Sequence, residues 1–78
     1  MDIVFSDHSK LKISQRRINK ELIVRTVTDP DFERPSYGSR IEIYKKFSKN
    51  YLKVVVKRGD KRIIVVTAHW VAKFKNKR

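Results

Sequence analysis

The sequence predicts a two-layer α+β domain of order β-α-α-β-β-β, with two N-terminal helices packed on a curved antiparallel sheet. Three observations carry this expectation. The chain has 78 residues, room for one domain and not for two. Two short segments near the start each open on a helix-capping residue. Three later runs carry alternating or β-branched residues, with turn residues between them.

The elements follow in order. Asp2–Phe5 reads as a short first strand. Ser6 is the N-cap of a helix over 7–17, with Leu11 and Ile18, seven residues apart, on its inner stripe. Asn19 caps a second helix over 20–28, with Glu21 in the first turn, where the helix dipole favours it. Ile23 and Val27 form its apolar side, flanked by Leu22 and Thr26; the β-branched content keeps a strand as the alternative there. Pro30 stops the helix, and 30–39, with both prolines and Gly38, reads as a loop.

Arg40–Phe47 alternates, with Ile41 and Ile43 on one side and Glu42, Tyr44 and Lys46 on the other. Ser48-Lys49-Asn50 turns the chain. Tyr51–Arg58 sets Leu52, Val54 and Val56 against Tyr51, Lys53, Val55 and Lys57. Gly59-Asp60 is a hairpin turn. Arg62–Trp70 contains four apolar residues in a row, Ile63 to Val66, as a strand covered on both faces would, and is expected at the centre of the sheet. Residues 71–78 read as a basic tail, with Val71 and Phe74 able to dock back. Ile64, Val66, Ala68 and Trp70 are expected under the helices. That leaves Glu42, Tyr44, Lys46, Tyr51, Lys53, Lys57, Thr67 and His69 on an open face.

Charge narrows the partner. Twenty Lys+Arg oppose eight Asp+Glu, a formal net charge of +12. Residues 45–62 hold eight basic side chains and one acid, Asp60, and the last six residues hold four more basic ones. The acids Asp29, Asp31 and Glu33 cluster beside the prolines. Such an excess self-repels, and a polyanion relieves it, so nucleic acid is favoured. The cations lie on strands rather than along one amphipathic helix, which argues against a membrane surface. No apolar run approaches the roughly 20 residues that span a bilayer. The start lacks a basic n-region and a long apolar stretch, so a cytoplasmic location is expected. With no cysteine and two distant histidines, disulfides and thiolate or zinc sites are not expected, and no cofactor is implied.

Alternating cations and rings on a sheet face suit RNA: cations hold phosphates, and rings stack on unpaired bases. The candidate nucleic-acid-binding residues are Lys12, Lys46, Lys53, Lys57, Tyr44 and Tyr51. His8, near a helix N-terminus, and His69, two residues after Thr67, are the candidate acid–base groups. Lys12 and Arg16 follow His8 at i+4 and i+8 on one helical face. Glu42 is the one carboxylate placed on the open face, either a base or the ion-pair partner of Lys53. There is no glycine-rich phosphate loop, no G-x-S-x-G and no acidic cluster for Mg²⁺ on the basic face. Cleavage of RNA by this chain would therefore use 2′-hydroxyl attack without a metal.

Phe5-Ser6-Asp7-His8-Ser9, Gln15-Arg16-Arg17-Ile18-Asn19, Asp29-Pro30-Asp31 and Val65-Val66-Thr67-Ala68-His69-Trp70 together resemble a pattern. It runs roughly F-S-x-H-A, E-R-G-I-S, N-P-D and a final V-V-T-aromatic strand, and belongs to small domains of the RelE/ParE toxin superfamily. The resemblance implies a toxin fold with a small acidic antitoxin as partner. It carries over His8, Arg16 and Thr67 as site positions. RelE-type members cut ribosome-bound mRNA; ParE-type members bind gyrase. Arg17 stands where the pattern has glycine, which could adopt the positive φ that an arginine takes only at a cost. Three functions stay open at this point: a metal-independent endoribonuclease toxin, a non-enzymatic nucleic-acid-binding module, and a ParE-like protein-binding toxin.

Overall fold

The structure, a computed structural model, describes residues 2–72. Its elements are β1 (Asp2–Phe5), α1 (Asp7–Gln15), α2 (Lys20–Thr28), β2 (Phe32–Pro35), β3 (Arg40–Phe47), β4 (Asn50–Arg58) and β5 (Arg62–Val71). The fold is α+β, with both helices N-terminal to four of the five strands. The sheet order is β1-β5-β4-β3-β2. It is mixed rather than antiparallel, because β1 runs parallel to β5, with Ile3 opposite Ile63 and Phe5 opposite Val65. β4, not β5, holds the centre. Val71, expected in the basic tail, is the last residue of β5; Phe74 and the rest of 73–78 lie outside the described residues.

Local chemistry explains the helices. Ser6 accepts a hydrogen bond from the Ser9 amide, and Asn19 accepts one from the Glu21 amide, each relieving an unpaired first-turn N–H. α1 ends at Gln15 in a paired-bond cap: the Arg17 amide donates to the Ser14 carbonyl at 3.1 Å and Ile18 to Ile13 at 3.0 Å. Ile13 and Ile18 then pack together in the core. The cap places Arg17 at φ 55, the left-handed region that the glycine of the resembled pattern would enter freely. Leu11 is 55% exposed, against expectation. Ile18 follows the helix end, so its seven-residue spacing from Leu11 no longer measures a helical face. Ser9 and Ile13 are the buried residues of α1.

α1 packs on β5, and α2 on β4 and β3. The core joins Ile13, Ile18 and Ile23 to Ile43, Leu52, Val54, Val56, Ile63, Val65 and Ala68. Thr26 is buried without loss, because its hydroxyl donates to the Leu22 carbonyl at 2.8 Å. The segment expected as a loop over 30–39 contains β2, an edge strand paired antiparallel to β3 from Phe32–Tyr44 to Pro35–Ile41. Pro35 is tolerated there because an edge strand has one unpaired side. The helix-facing residues of β5 begin with Ile63 and Val65, not the expected Ile64 and Val66. The register explains this: Val55 pairs with Thr67 but Val56 with Val65, so Val66 is the extra residue of a bulge.

Two stability outcomes follow. Arg17→Gly raises the unfolding free energy by about 1 kcal/mol, by relieving a left-handed non-glycine residue. Ile23→Ala, at a fully buried position, lowers it by about 3 kcal/mol. Urea unfolding monitored by circular dichroism measures both; an unchanged or lowered midpoint for Arg17→Gly contradicts the account of the cap.

Candidate nucleic-acid interface

Strand pairing brings the open-face side chains into rows. In antiparallel strands, directly opposed residues share a face with Cβ atoms about 5 Å apart. One row runs Lys46, Tyr51, Val71. The next runs Phe32, Tyr44, Lys53, His69. A third runs Arg34, Glu42, Val55, Thr67, and the last Arg40, Lys57, Ile64. Lys46, Lys53, Lys57, Tyr51, Thr67 and His69 therefore share the face opposite the helices. The bulge at Val66 is what sends Thr67 and His69 there. In unbroken alternation from Ile63 and Val65 they would point into the core.

β1 covers β5 only as far as Val65. Beyond that point the β5 edge is open, and Arg16, at the end of α1, reaches it. One guanidinium nitrogen, Nη1, donates to Thr67 Oγ1 at 3.0 Å and to the Ala68 carbonyl at 2.9 Å. The helix thus lends a cation to the open face beside His69. Of the four residues expected to form the site, His8, Arg16, Thr67 and His69, the last three lie near one another. His8 is not part of this group: it is an exposed residue in the first turn of α1, on the helical layer. Lys12, one turn on, is half-buried.

The carboxylate of Glu42 organises the middle of the face. It accepts from Tyr44 Oη at 2.9 Å and Arg34 Nε at 3.2 Å, and Lys53 Nζ lies 3.7 Å away. Burial works against its charge. The bonds from Tyr44 and Arg34, the Lys53 ammonium and a bond from Ser36 outweigh that and hold its carboxyl below the ordinary range. Tyr44 is pushed up to about 12, first by burial and then by its bond to Glu42 and that carboxylate's charge. Glu42 is therefore an ion-pair partner rather than a free base.

Tyr44 is a correction to the candidate stacking residues. Its ring is 3% exposed and lies against Phe32, centroids 4.8 Å apart and nearly parallel. It has no free face to give a base. Tyr51 is half-buried, its ring tilted 5.9 Å from Phe32. His69 is pushed below its ordinary value by partial burial, then by the charges of Lys53 and Arg16, with Glu42 pulling weakly the other way. That direction favours the neutral imidazole that a proton acceptor must be.

The acidic cluster is consumed elsewhere. Lys45 Nζ sits 3.4 Å from Asp29 Oδ2 and 3.9 Å from Asp31 Oδ1, and Arg58 Nη2 lies 3.3 Å from Glu33 Oε1. Asp31 also accepts the Lys46 amide at 2.8 Å. Arg34 and Arg40 join the basic face although composition did not single them out. For Arg40 the signal was present, since it alternates in phase with Glu42 and Lys46. Among the described residues, no three His, Asp or Glu side chains are grouped to hold a metal ion.

The linkage sign for His69 is fixed by its direction. The unfolded chain binds more protons there than the folded chain once pH falls below the ordinary value near 6.5, so stability drops through that window. Glu42 adds a further loss below its ordinary 4.5, where the unfolded carboxylate protonates first. Urea midpoints across pH check this. His69→Gln is expected to flatten the loss that sets in as pH falls through about 6.5 while leaving the acidic loss intact; an unaltered curve contradicts the placement of His69.

No protein-family model, curated protein or solved structure matches this chain.

Proposed function

We propose that this domain binds single-stranded RNA across its open sheet face and cleaves it as the toxin of a toxin–antitoxin pair. The observation that carries the reading is His69 on the open face between two cations, where partial burial together with their charges pushes its imidazole below its ordinary value. Lys53 is its cross-strand partner, and Arg16 is anchored beside it on Thr67. Arg40, Lys46 and Lys57 extend cationic surface along the same face for neighbouring phosphates.

The chemistry is ribose-assisted. His69 takes the proton of the 2′-hydroxyl as that oxygen bonds to phosphorus. Arg16 and Lys53 stabilise the negative charge that builds on the phosphorane. The bond from phosphorus to the 5′-oxygen breaks, water protonates that oxygen, and the products are a 2′,3′-cyclic phosphate and a 5′-hydroxyl. Every group needed belongs to the chain, the RNA or solvent. The motif likeness to the RelE/ParE superfamily, and its arrangement of two N-terminal helices against a sheet, support the toxin assignment. That assignment brings a small acidic antitoxin as partner and ribosome-bound mRNA as one substrate.

A second reading is a binding module without catalysis. The separation of His8 on the helical layer from His69 on the open face favours it, because no histidine pair is assembled to share acid and base roles.

Purified protein incubated with RNA in EDTA, alone and with ribosomes, separates the two. The proposal expects fragments ending in cyclic phosphate, lost in His69→Ala with RNA binding retained. Intact RNA under both conditions overturns cleavage and leaves binding. For binding itself, Lys46→Ala and Lys57→Ala each reduce the slope of log affinity against log salt by about 1. An unchanged slope in both would remove these lysines from the interface.

A further inference from the structure

We infer that Tyr37, at the tip of the β2–β3 hairpin, is the stacking platform for an unpaired base at one end of the RNA path. This rests on the RNA-binding reading of the open face. Tyr37 is 90% exposed, the most exposed large apolar side chain among the described residues. Among the described residues, no hydrogen bond, ring contact or cation touches its side chain.

Its backbone, in contrast, is held. The Ser36 amide donates to the Arg40 carbonyl at 2.9 Å, and the Arg40 amide donates to the Tyr37 carbonyl at 3.1 Å. Gly38 and Ser39 both take positive φ, 60 and 65, to close the turn. A ring carried on a hydrogen-bonded turn loses little backbone freedom when a base covers it.

The surroundings specify the ligand. Arg34 precedes the turn and Arg40 follows it, and Lys57 is the cross-strand partner of Arg40. The nearby acid, Glu42, is already engaged by Arg34, Tyr44 and Lys53. An exposed aromatic ring on the turn that leads into the Arg40–Lys57 pair suits a nucleobase whose neighbouring phosphates lie on those cations. From Arg40 to Lys46 along β3 is about 20 Å at the strand rise, so the turn marks one end of a path whose other end holds Lys46 and Tyr51. Tyr37 thus takes over the stacking role that the buried ring of Tyr44 cannot fill. Since a ring stacks only on an exposed base face, Tyr37 would also discriminate single-stranded from double-stranded RNA.

The experiment compares wild type, Tyr37→Ala and Tyr37→Phe for binding to a fluorescent oligouridylate and to a duplex RNA of equal length. Tyr37→Ala is expected to weaken oligouridylate binding about tenfold or more, with Tyr37→Phe near wild type and duplex binding unaffected in both. Ring proton signals of Tyr37 move upfield on adding the oligouridylate, while those of buried Tyr44 hold still. Wild-type binding with no loss in Tyr37→Ala overturns the inference and leaves the open-face reading standing. No wild-type binding to either RNA overturns both. Equal losses on single-stranded and duplex RNA overturn the stacking role, since a phosphate contact would act on both.

Discussion

One extra residue in β5 decides what the open face contains. Ile63 and Val65 point into the core, and so does Ala68; only a bulge at Val66 reconciles these three burials. The same bulge turns Thr67 and His69 outward, opposite Val55 and Lys53. It falls where β1 stops covering β5, at Val65. Past that point the strand has a free edge, and the guanidinium of Arg16 bonds to it through Thr67 and Ala68. Packing on one side and chemistry on the other thus share a single register shift.

Electrostatics complete the division of labour. Asp29 and Asp31 pair with Lys45, and Glu33 pairs with Arg58. Glu42 is held by Arg34, Tyr44 and Lys53. Among the described residues Arg40, Lys46 and Lys57 have no such partner, and all three are exposed on the face away from the helices. Lys10, Lys20 and Arg25 are exposed on the helices, so the net charge is not confined to this face; a polyanion laid along the face relieves the repulsion among the cations that are there.

The sequence made much of this legible because the local signals were strong. The caps Ser6 and Asn19 mark both helix starts, and the alternation in Arg40–Phe47 and Tyr51–Arg58 assigns faces correctly. Three features were hidden for physical reasons. β2 is four residues long, ends in proline and carries charges, so it has no period of its own; its pairing comes from the hairpin it forms with β3. Because β2 was unseen, so was Phe32 lying on Tyr44, and a ring that looked available for stacking is buried. The bulge was hidden because Ile63 to Val66 are all apolar, and a run without polar residues cannot reveal a slip of phase. The seven-residue spacing from Leu11 to Ile18 crosses the cap at Arg16 and the left-handed Arg17, so it does not mark one helical face.

The most direct test of the account maps wild-type backbone amides by NMR as an oligouridylate is titrated in. The account predicts the largest shifts on the strands of the open face, at Arg40, Lys46, Lys53, Lys57, Thr67 and His69, with the outer surfaces of α1 and α2 unmoved. Shifts concentrated on those helices, or none at all at concentrations where binding is measured by other means, would contradict it.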